Sequence, residues 1–424
     1  MKKKRVVITG YGLITPLGKD AIETFDKASK GISGIDYIKS FDTTGLPCTI
    51  GGEVKNEWIS DLENSRFSKY ASRGCLLLLR AVQEAYEQAG LKEITNTSQI
   101  GISIGCHGDN PKVKDMVFVH KFYDGKGNWD YHKLQKAGGY SFLNFMKRKP
   151  DIVTSIIAHK FDCKGLNIVT VSACSAGAQA IGEAYKAVID GRCKVMITGG
   201  AESIIDFFGY LGFTLLKALA ERYSSPQGAS RPFDRKRSGF VMSEGAGVLI
   251  LEDYEHATTR GAKIYGEVLG YGSSTDAYRI TDMHPQGLGA VIAMKKAIAD
   301  AGLTTNDIDY INAHGTSTIQ NDITETLAIK QVFGERAREI PISSNKSMLG
   351  HTIAGAGAIE AVLTIMGMNN SIILATINYE FPDPKCDLYY VPNKAIMKEH
   401  KIALSNSFGF GGQNACLCLG KFLS

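Results

Sequence analysis

The sequence predicts an α/β fold in which one unit is used twice. Three observations carry this: a repeated strand that ends on glycine, a repeated helix of small residues, and apolar strand runs alternating with helical stretches. The first repeat sets Val7-Ile8-Thr9-Gly10-Tyr11-Gly12 beside Val268-Leu269-Gly270-Tyr271-Gly272, each a strand running into a glycine turn. The second sets Ala176-Gly177-Ala178-Gln179-Ala180-Ile181 beside Ala354-Gly355-Ala356-Gly357-Ala358-Ile359, each a helix entered from an extended segment. Helices so rich in Gly and Ala belong between sheets, where small side chains permit close approach. Strand runs include Ile168 to Val171, Lys194 to Thr198, Gly247 to Leu251 and Ile372 to Thr376. After Glu252-Asp253 the buried run gives way to a charged helical stretch, Tyr254 to Arg260, so the predicted halves are 1–253 and 254–424. A chain of 424 residues is long enough for two cores.

Composition narrows the class of protein. Hydrophobic residues make up 44% and charged residues 21%, too apolar and too weakly charged for a disordered chain. The net charge of +5, spread along the sequence, argues against nucleic-acid binding and leaves an acidic protein partner open. Met1-Lys2-Lys3-Lys4-Arg5 resembles the start of a signal peptide, but Val6-Val7-Ile8 is too short an apolar run, and the segment reads as a solvated basic lead to a strand. No run approaches the roughly 18 apolar residues of a membrane span. The nine cysteines are scattered, with no CxxC pair and no finger spacing, which predicts reduced thiols in the cytoplasm and neither a metal nor a cofactor.

Cys174 follows the strand Val169 to Ser172 and opens a helix from Ser175 to Ile189, a position where free N–H groups and the helix dipole stabilise a thiolate. The same position also suits a small buried cysteine packed like alanine. His314, in Asn312-Ala313-His314-Gly315-Thr316-Ser317-Thr318, and His351, in Lys346-Ser347-Met348-Leu349-Gly350-His351-Thr352, both fall at strand-to-helix junctions. A lone histidine there is more often structural, yet two bracketed by Gly, Ser and Thr suit a site that substrate approaches closely. If the repeated helices are related by an internal two-fold, Cys174 and His351 meet at the centre of the fold. Asn406-Ser407-Phe408-Gly409-Phe410-Gly411-Gly412-Gln413-Asn414 is either a tight turn or a source of backbone N–H groups for an oxyanion.

These segments resemble the β-ketoacyl-acyl-carrier-protein synthases over nearly the whole chain. The most specific marks are Val171-Ser172-Ala173-Cys174-Ser175-Ala176-Gly177, His314-Gly315-Thr316-Ser317-Thr318, Lys346-Ser347-Met348-Leu349-Gly350-His351 and Phe408-Gly409-Phe410-Gly411-Gly412, in the family's order. The resemblance implies a duplicated thiolase-like fold, layered α-β-α-β-α, with two mixed sheets around buried helices. Gln320-Asn321-Asp322-Ile323-Thr324-Glu325-Thr326 is similar to the corresponding segment in the ketosynthase subunits of type II polyketide synthases, and Ile319 stands where fatty-acid relatives usually have proline. Pro382-Asp383-Pro384-Lys385-Cys386-Asp387-Leu388 resembles both branches.

The implied chemistry is a decarboxylating condensation. Cys174 carries the growing acyl chain, and the backbone N–H groups of Cys174 and Phe410 hold the oxyanion, with Phe408 and Gly409 forming the gate. His314 and His351 donate to the enolate left when malonyl thioester loses carbon dioxide. Lys346 is expected to pair with Glu325, or else to be an ordinary surface lysine; Asp322 supports the same loop, and Thr316 and Thr318 hydrogen-bond the phosphopantetheine arm. The implied partner is acyl carrier protein, docked by basic residues for which Arg66, Lys69, Arg73 and Arg222 are candidates. Assembly is expected with a chain-length-factor-like paralogue in the polyketide or polyene branch, or as a homodimer in fatty-acid elongation. A degradative thiolase and a non-catalytic chain-length factor fit less well, given Cys174 and both histidines.

Two departures from the family pattern stand out. A Gly-Ser-Gly-Ile-Gly-Gly type run is replaced by Gly105-Cys106-His107-Gly108-Asp109-Asn110, with glycine where a bulky gatekeeper is common. The aromatic segment from Cys106 to Pro150 is longer than in fatty-acid relatives and is expected to cover a pocket, to form a subunit contact, or to be a surface excursion.

Overall fold

A computed structural model describes residues 4–423. The first three residues of the basic lead lie outside the described residues. Arg5 is not freely solvated, because its guanidinium pairs with Glu267 at 2.5 Å.

Alternating apolar residues build two sheets. The first half contributes β1 (Val6–Ile14), β2 (Ile100–Gly105), β3 (Asn167–Thr170), β4 (Val195–Glu202) and β5 (Gly245–Asp253), interleaved with α1 (Arg73–Gln88), α2 (Pro150–Phe161) and α3 (Ala176–Ile189). The second half contributes β6 (Gly266–Thr275), β7 (Tyr310–Asn312), β8 (Ile342–Ser343), β9 (Ile402–Gly409) and β10 (Gln413–Gly420), interleaved with α4 (Leu288–Asp300), α5 (Ile319–Phe333) and α6 (Ala356–Asn370). Each half runs β-α-β-α-β-α-β-β, and the strand orders correspond: β3-β2-β4-β5-β1 in the first, β8-β7-β9-β10-β6 in the second. The two five-stranded mixed sheets join where β1 pairs antiparallel with β6, Val6 opposite Val268.

The period-two alternation of the strands sorts their side chains into separate cores. On β5, Leu249 and Leu251 face the central core while Val248 and Ile250 face the outer helices α1 and α2. On β10, Leu417 and Leu419 face the centre, and Cys416 and Cys418 face α4 and α5. The layers are therefore helix, sheet, helix, sheet, helix. The middle layer is α3 and α6, the two helices of the Gly/Ala repeat, and α6 is buried from Ala356 to Met368.

The middle helices touch backbone to backbone. A Cβ at Gly177 would stand 2.7 Å from the Ala354 carbonyl oxygen, and one at Gly357 would stand 2.9 Å from the Ala178 Cβ. This crossing sets the start of α3 against the start of α6. The expected strand from Ile372 to Thr376 is a strand only over Ile372–Ile373, against Ile396–Met397, with Thr376 making an isolated bridge to Pro392, and it lies outside the main sheets. The aromatic segment folds into short helices, Val113–His120, Tyr131–Ala137 and Phe142–Met146, which leave Met116, Val117, Tyr131 and Phe142 exposed.

Replacing Gly177 with valine forces the two central helices apart. Overpacking of this kind costs about 3 kcal/mol, so G177V should melt well below the parent in a thermal unfolding scan, and an unchanged melting temperature would show that the crossing is loose.

Candidate active site

The C-terminal end of β3 leads through the 3-10 turn Ala173–Ser175 into α3, and Cys174 sits in that turn, 3% exposed. Ala173 has φ +48°, a left-handed conformation that a residue with a Cβ rarely adopts, and it turns the chain sharply enough to aim the thiol across the central crossing. From the other half, His351 lies between the short helix Lys346–Leu349 and the turn Ile353–Gly355. Its backbone is held by the strand-like segment Val241 to Ser243: His351 N–H donates to the Val241 carbonyl at 2.7 Å, and Ser243 N–H donates to the His351 carbonyl at 3.0 Å. The result is His351 Nε2 at 3.1 Å from Cys174 Sγ. His314 completes the group, its ring centroid 5.3 Å from that of His351 and nearly perpendicular to it.

Glu325 fixes the His314 loop. Its carboxylate accepts from the backbone N–H of His314 and of Gly315, each at 2.8 Å, and from Asn406 Nδ2 at 3.2 Å. Lys346 does not pair with Glu325. Its ammonium instead forms a close, fully buried ion pair with Glu360 on α6. Glu325 is already taken by two backbone donors and Asn406, which leaves Glu360 as the partner of Lys346. Asp322 also acts at one remove: it accepts from Phe233 N–H at 2.7 Å and faces Arg237 at 3.4 Å, anchoring the start of α5.

The charge states follow from this burial. Desolvation and then the Lys346 cation push His351 well below the ordinary histidine range, and His314 shifts the same way with His351 adding to the effect. Both imidazoles are neutral. The thiolate expected from the helix dipole is not the resting form: burial pushes the Cys174 thiol up to about 12, against the opposing pull of Lys346, the Phe410 N–H and its own N–H. Burial likewise raises the Glu325 and Glu360 carboxyls to about 7.

A cavity of 320 Å³ opens in front of the thiol, lined by Cys174, both histidines, Thr316, Thr318, Phe240 and the Phe408-Gly409-Phe410 turn. Thr316 and Thr318 hydroxyls lie 2.9 Å apart on its wall. Gly409 lets the turn pass close to the strand end that leads to Cys174, since a Cβ there would crowd the Ser172 carbonyl at 3.1 Å and Cys174 N at 3.2 Å. Phe408 is buried against His314, and Phe410 is 36% exposed at the mouth. Sequence reading missed Phe240, which packs edge-on against His351 at 5.2 Å, and Glu360. Phe240 carries no local signal; Glu360 does, as a lone carboxylate in an otherwise apolar helix. Of the basic candidates, Arg66, Lys69 and Arg222 are exposed. Arg73 is instead committed internally, donating to Glu244 at 2.7 Å.

Cys174, His314 and His351 place a sulfur and two ring nitrogens within 4.8 Å of one another, a ligand set with metal-binding chemistry. A dication there would add charge beside the buried Lys346 ammonium, which favours the uncharged donors over an ion.

The sequence profile described as "Beta-ketoacyl synthase, N-terminal domain" matches residues 3–257, and that described as "Beta-ketoacyl synthase, C-terminal domain" matches residues 265–380. The chain belongs to the β-ketoacyl synthase family. It is an acyltransferase of the condensing class. It is 42% identical to the 3-oxoacyl-[acyl-carrier-protein] synthase 2 of Synechocystis sp., over 100% of this chain and 99% of the relative. Identity to the protein of the same name in Staphylococcus aureus is 40%, over 99% of each. Among solved structures it is similar to a type II PKS ketosynthase bound to the hexaketide in complex with its acyl-carrier protein (TM-score 0.87, 32% identity, 100% of both chains). A β-ketoacyl synthase from Burkholderia phymatum superposes with TM-score 0.88 at 31% identity, over 99% of this chain and 100% of that one. No helix among the described residues is long and apolar enough to cross a membrane.

Two outcomes test the electrostatics. Lys346→Met leaves Glu360 buried without a partner and should cost roughly 3–5 kcal/mol in chemical unfolding, whereas the double replacement Lys346→Met/Glu360→Leu should recover most of that loss. For His351 the folded-state shift is downward, so below pH 6.5 the unfolded chain binds the proton and the folded chain does not. The stability of the parent relative to His351→Asn should therefore fall by about 1.4 kcal/mol per pH unit as pH drops below that value. Comparison with the variant separates the imidazole from Glu325 and Glu360, whose raised carboxyls act in the opposite sense.

Proposed function

We propose that the protein joins an acyl group held on Cys174 to a malonyl thioester on acyl carrier protein by decarboxylative Claisen condensation. The observation that carries this reading is the 3.1 Å approach of His351 Nε2 to Cys174 Sγ, with His314 beside them at the end of one cavity. In the first half-reaction the sulfur attacks the acyl thioester and its proton passes to the neutral His351. The tetrahedral oxyanion is held by the N–H groups of Cys174 and Phe410, a contact worth about 3 kcal/mol. Collapse breaks the carrier C–S bond, and the carrier thiolate leaves with the proton.

In the second half-reaction the malonyl carboxylate departs as carbon dioxide, and its electron pair forms an enolate. His314 and His351 donate to the enolate oxygen; because they are neutral, they stabilise charge in the transition state without binding the malonyl carboxylate as a salt. The enolate carbon then attacks the acyl carbon on Cys174, a C–C bond forms, the C–S bond breaks, and the departing thiolate takes up a proton from solvent to regenerate the thiol. Lys346 acts through the histidines, holding them uncharged and in place with Glu360. Thr316 and Thr318 hold the phosphopantetheine arm, and Phe408 and Gly409 position the gate residue Phe410. No cofactor or metal takes part in these steps.

The halves 1–253 and 254–424 are read as two copies of one unit, the first supplying the nucleophile and the second the histidines. The nine cysteines, all buried thiols, support a reducing, cytoplasmic setting. Ile319, with the segment Gln320 to Thr326, supports a role in type II polyketide or polyene synthesis beside a chain-length-factor-like paralogue. Likeness to the ishigamide ketosynthase/chain length factor, at 29% identity and TM-score 0.86, supports the same branch. Fatty-acid elongation by a homodimer is the second reading, favoured by the 42% identity to 3-oxoacyl-[acyl-carrier-protein] synthase 2.

Cys174→Ala should abolish acyl transfer from acyl carrier protein in a mass-spectrometric assay while leaving the melting curve in place. His314→Ala should retain acylation and lose decarboxylation of malonyl carrier by about 10²–10³-fold, read as released carbon dioxide. Co-expression with a neighbouring paralogue separates the pathways: a stable heterodimer making polyketide or polyene chains upholds the first reading, and an active homodimer making saturated-pathway intermediates upholds the second.

A further inference from the structure

The same cavity must admit the acyl donor first and the malonyl donor second, so the acyl group on Cys174 has to lie outside it while the second arm binds. None of the residues lining that cavity comes from the ends of β2 or β4. Those ends flank the nucleophile: β2 pairs parallel with both β3 and β4, and a Cβ at Gly105 would strike the Ala176 carbonyl carbon at 2.3 Å, at the start of α3. They carry His107 and Glu202. His107 Nδ1 lies 2.5 Å from Glu202 Oε2, with Glu202 buried and the imidazole side chain 28% exposed. Glu202 is close enough for its charge to act on Cys174. A titratable pair thus stands at the strand ends that flank Cys174, with His107 at a position where the family pattern carries glycine.

The pair is built to present a donor. The carboxylate favours the doubly protonated ring, in which Nδ1–H is spent on Glu202 and Nε2–H is free. The loop that carries it is fixed: Gly108 has φ +101°, and a Cβ there would stand 2.3 Å from the Arg148 carbonyl oxygen, so glycine is required by the backbone rather than by the acyl chain. Asn110 donates to Asp206 at 3.1 Å, and Asp109, with Lys112 and Lys147 as facing cations, extends the polar patch.

We infer that His107, oriented by Glu202, is a specificity-determining residue that donates a hydrogen bond to an oxygen on the acyl group of Cys174, so that oxygenated acyl chains are accepted over plain alkyl chains. This rests on the reading of Cys174 as the acyl carrier. A partly exposed donor that the acyl chain covers on binding discriminates against a ligand without an acceptor, because the donor loses its water and is then left unpaired.

The test is competitive acylation of Cys174 in the full-length protein, followed by intact-mass spectrometry, from equimolar 3-hydroxybutyryl and butyryl carrier protein. The parent should favour the hydroxylated donor by about tenfold. His107→Leu should bring the ratio to one or below, and His107→Gln, which keeps a donor and a similar reach, should retain the preference; the Gln variant also guards against a folding defect in the Leu variant. Equal acylation by both donors in the parent, or an unchanged ratio in a folded His107→Leu protein, overturns the role of His107 alone. Absence of acylation from any donor overturns Cys174 as the carrier and this inference with it.

Discussion

At Gly177 the backbone of α3 lies so close to α6 that an added methyl group would stand 2.7 Å from the Ala354 carbonyl oxygen, and Gly357 is similarly confined by Ala178. This approach of two helices buried between two sheets is the constraint on which the site depends. Cys174 and His351 belong to different halves and are 177 positions apart in sequence. Only a crossing tight enough to need glycine and alanine brings their turns within hydrogen-bonding distance. The strained backbone at Ala173, φ +48°, is tolerated because the same packing holds both of its flanks.

So tight a centre excludes water, and every charge inside must be matched. Lys346 is matched by Glu360, and Glu325 by three N–H donors. The histidines are left uncharged because a second and third cation beside Lys346 would have no counter-ion. A neutral imidazole pair is also what a developing enolate needs, since such donors bind the charge as it forms and not the carboxylate that precedes it. The packing that assembles the site therefore sets its protonation.

Much of the arrangement was legible in the sequence because duplication leaves two imprints of the same physics. The Ala-Gly helices and the glycine-bearing strands marked the middle layer and the correspondence of the halves, and with them the meeting of Cys174 and His351, although the expected glycine turns are absent: Gly10, Gly12, Gly270 and Gly272 lie inside β1 and β6, where they let α1 and α4 approach. The division of β5 and β10 between inner and outer cores was not read from the sequence, where β5 shows as one apolar run and β10 has no strand run of its own. The pairing of Lys346 was misread because sequence shows which charges exist, not which backbone N–H groups a carboxylate will meet: Glu325 is taken by the loop of His314 and Gly315, leaving Glu360 as the partner. Phe240 was invisible for a related reason. An apolar residue in an apolar run carries no mark of the ring it will touch.

The resting state of the Cys174 thiol shows how two correct principles compete. A helix start favours a thiolate through its free N–H groups, and that effect is present here, since the N–H groups of Cys174 and Phe410 both act to lower the thiol's pKa. Burial outweighs them, because at 3% exposure the sulfur has lost nearly all solvation that a charge would need. On the proposed mechanism the same N–H groups become effective later, when the negative charge sits on the acyl oxygen rather than on sulfur. A thiol that stays protonated until an acyl donor arrives, beside a neutral imidazole that can take its proton, avoids both the cost of a standing buried anion and the side reactions of an idle thiolate. On the proposed mechanism, burial thus places the activation of Cys174 within the catalytic cycle, after the acyl donor has entered the cavity.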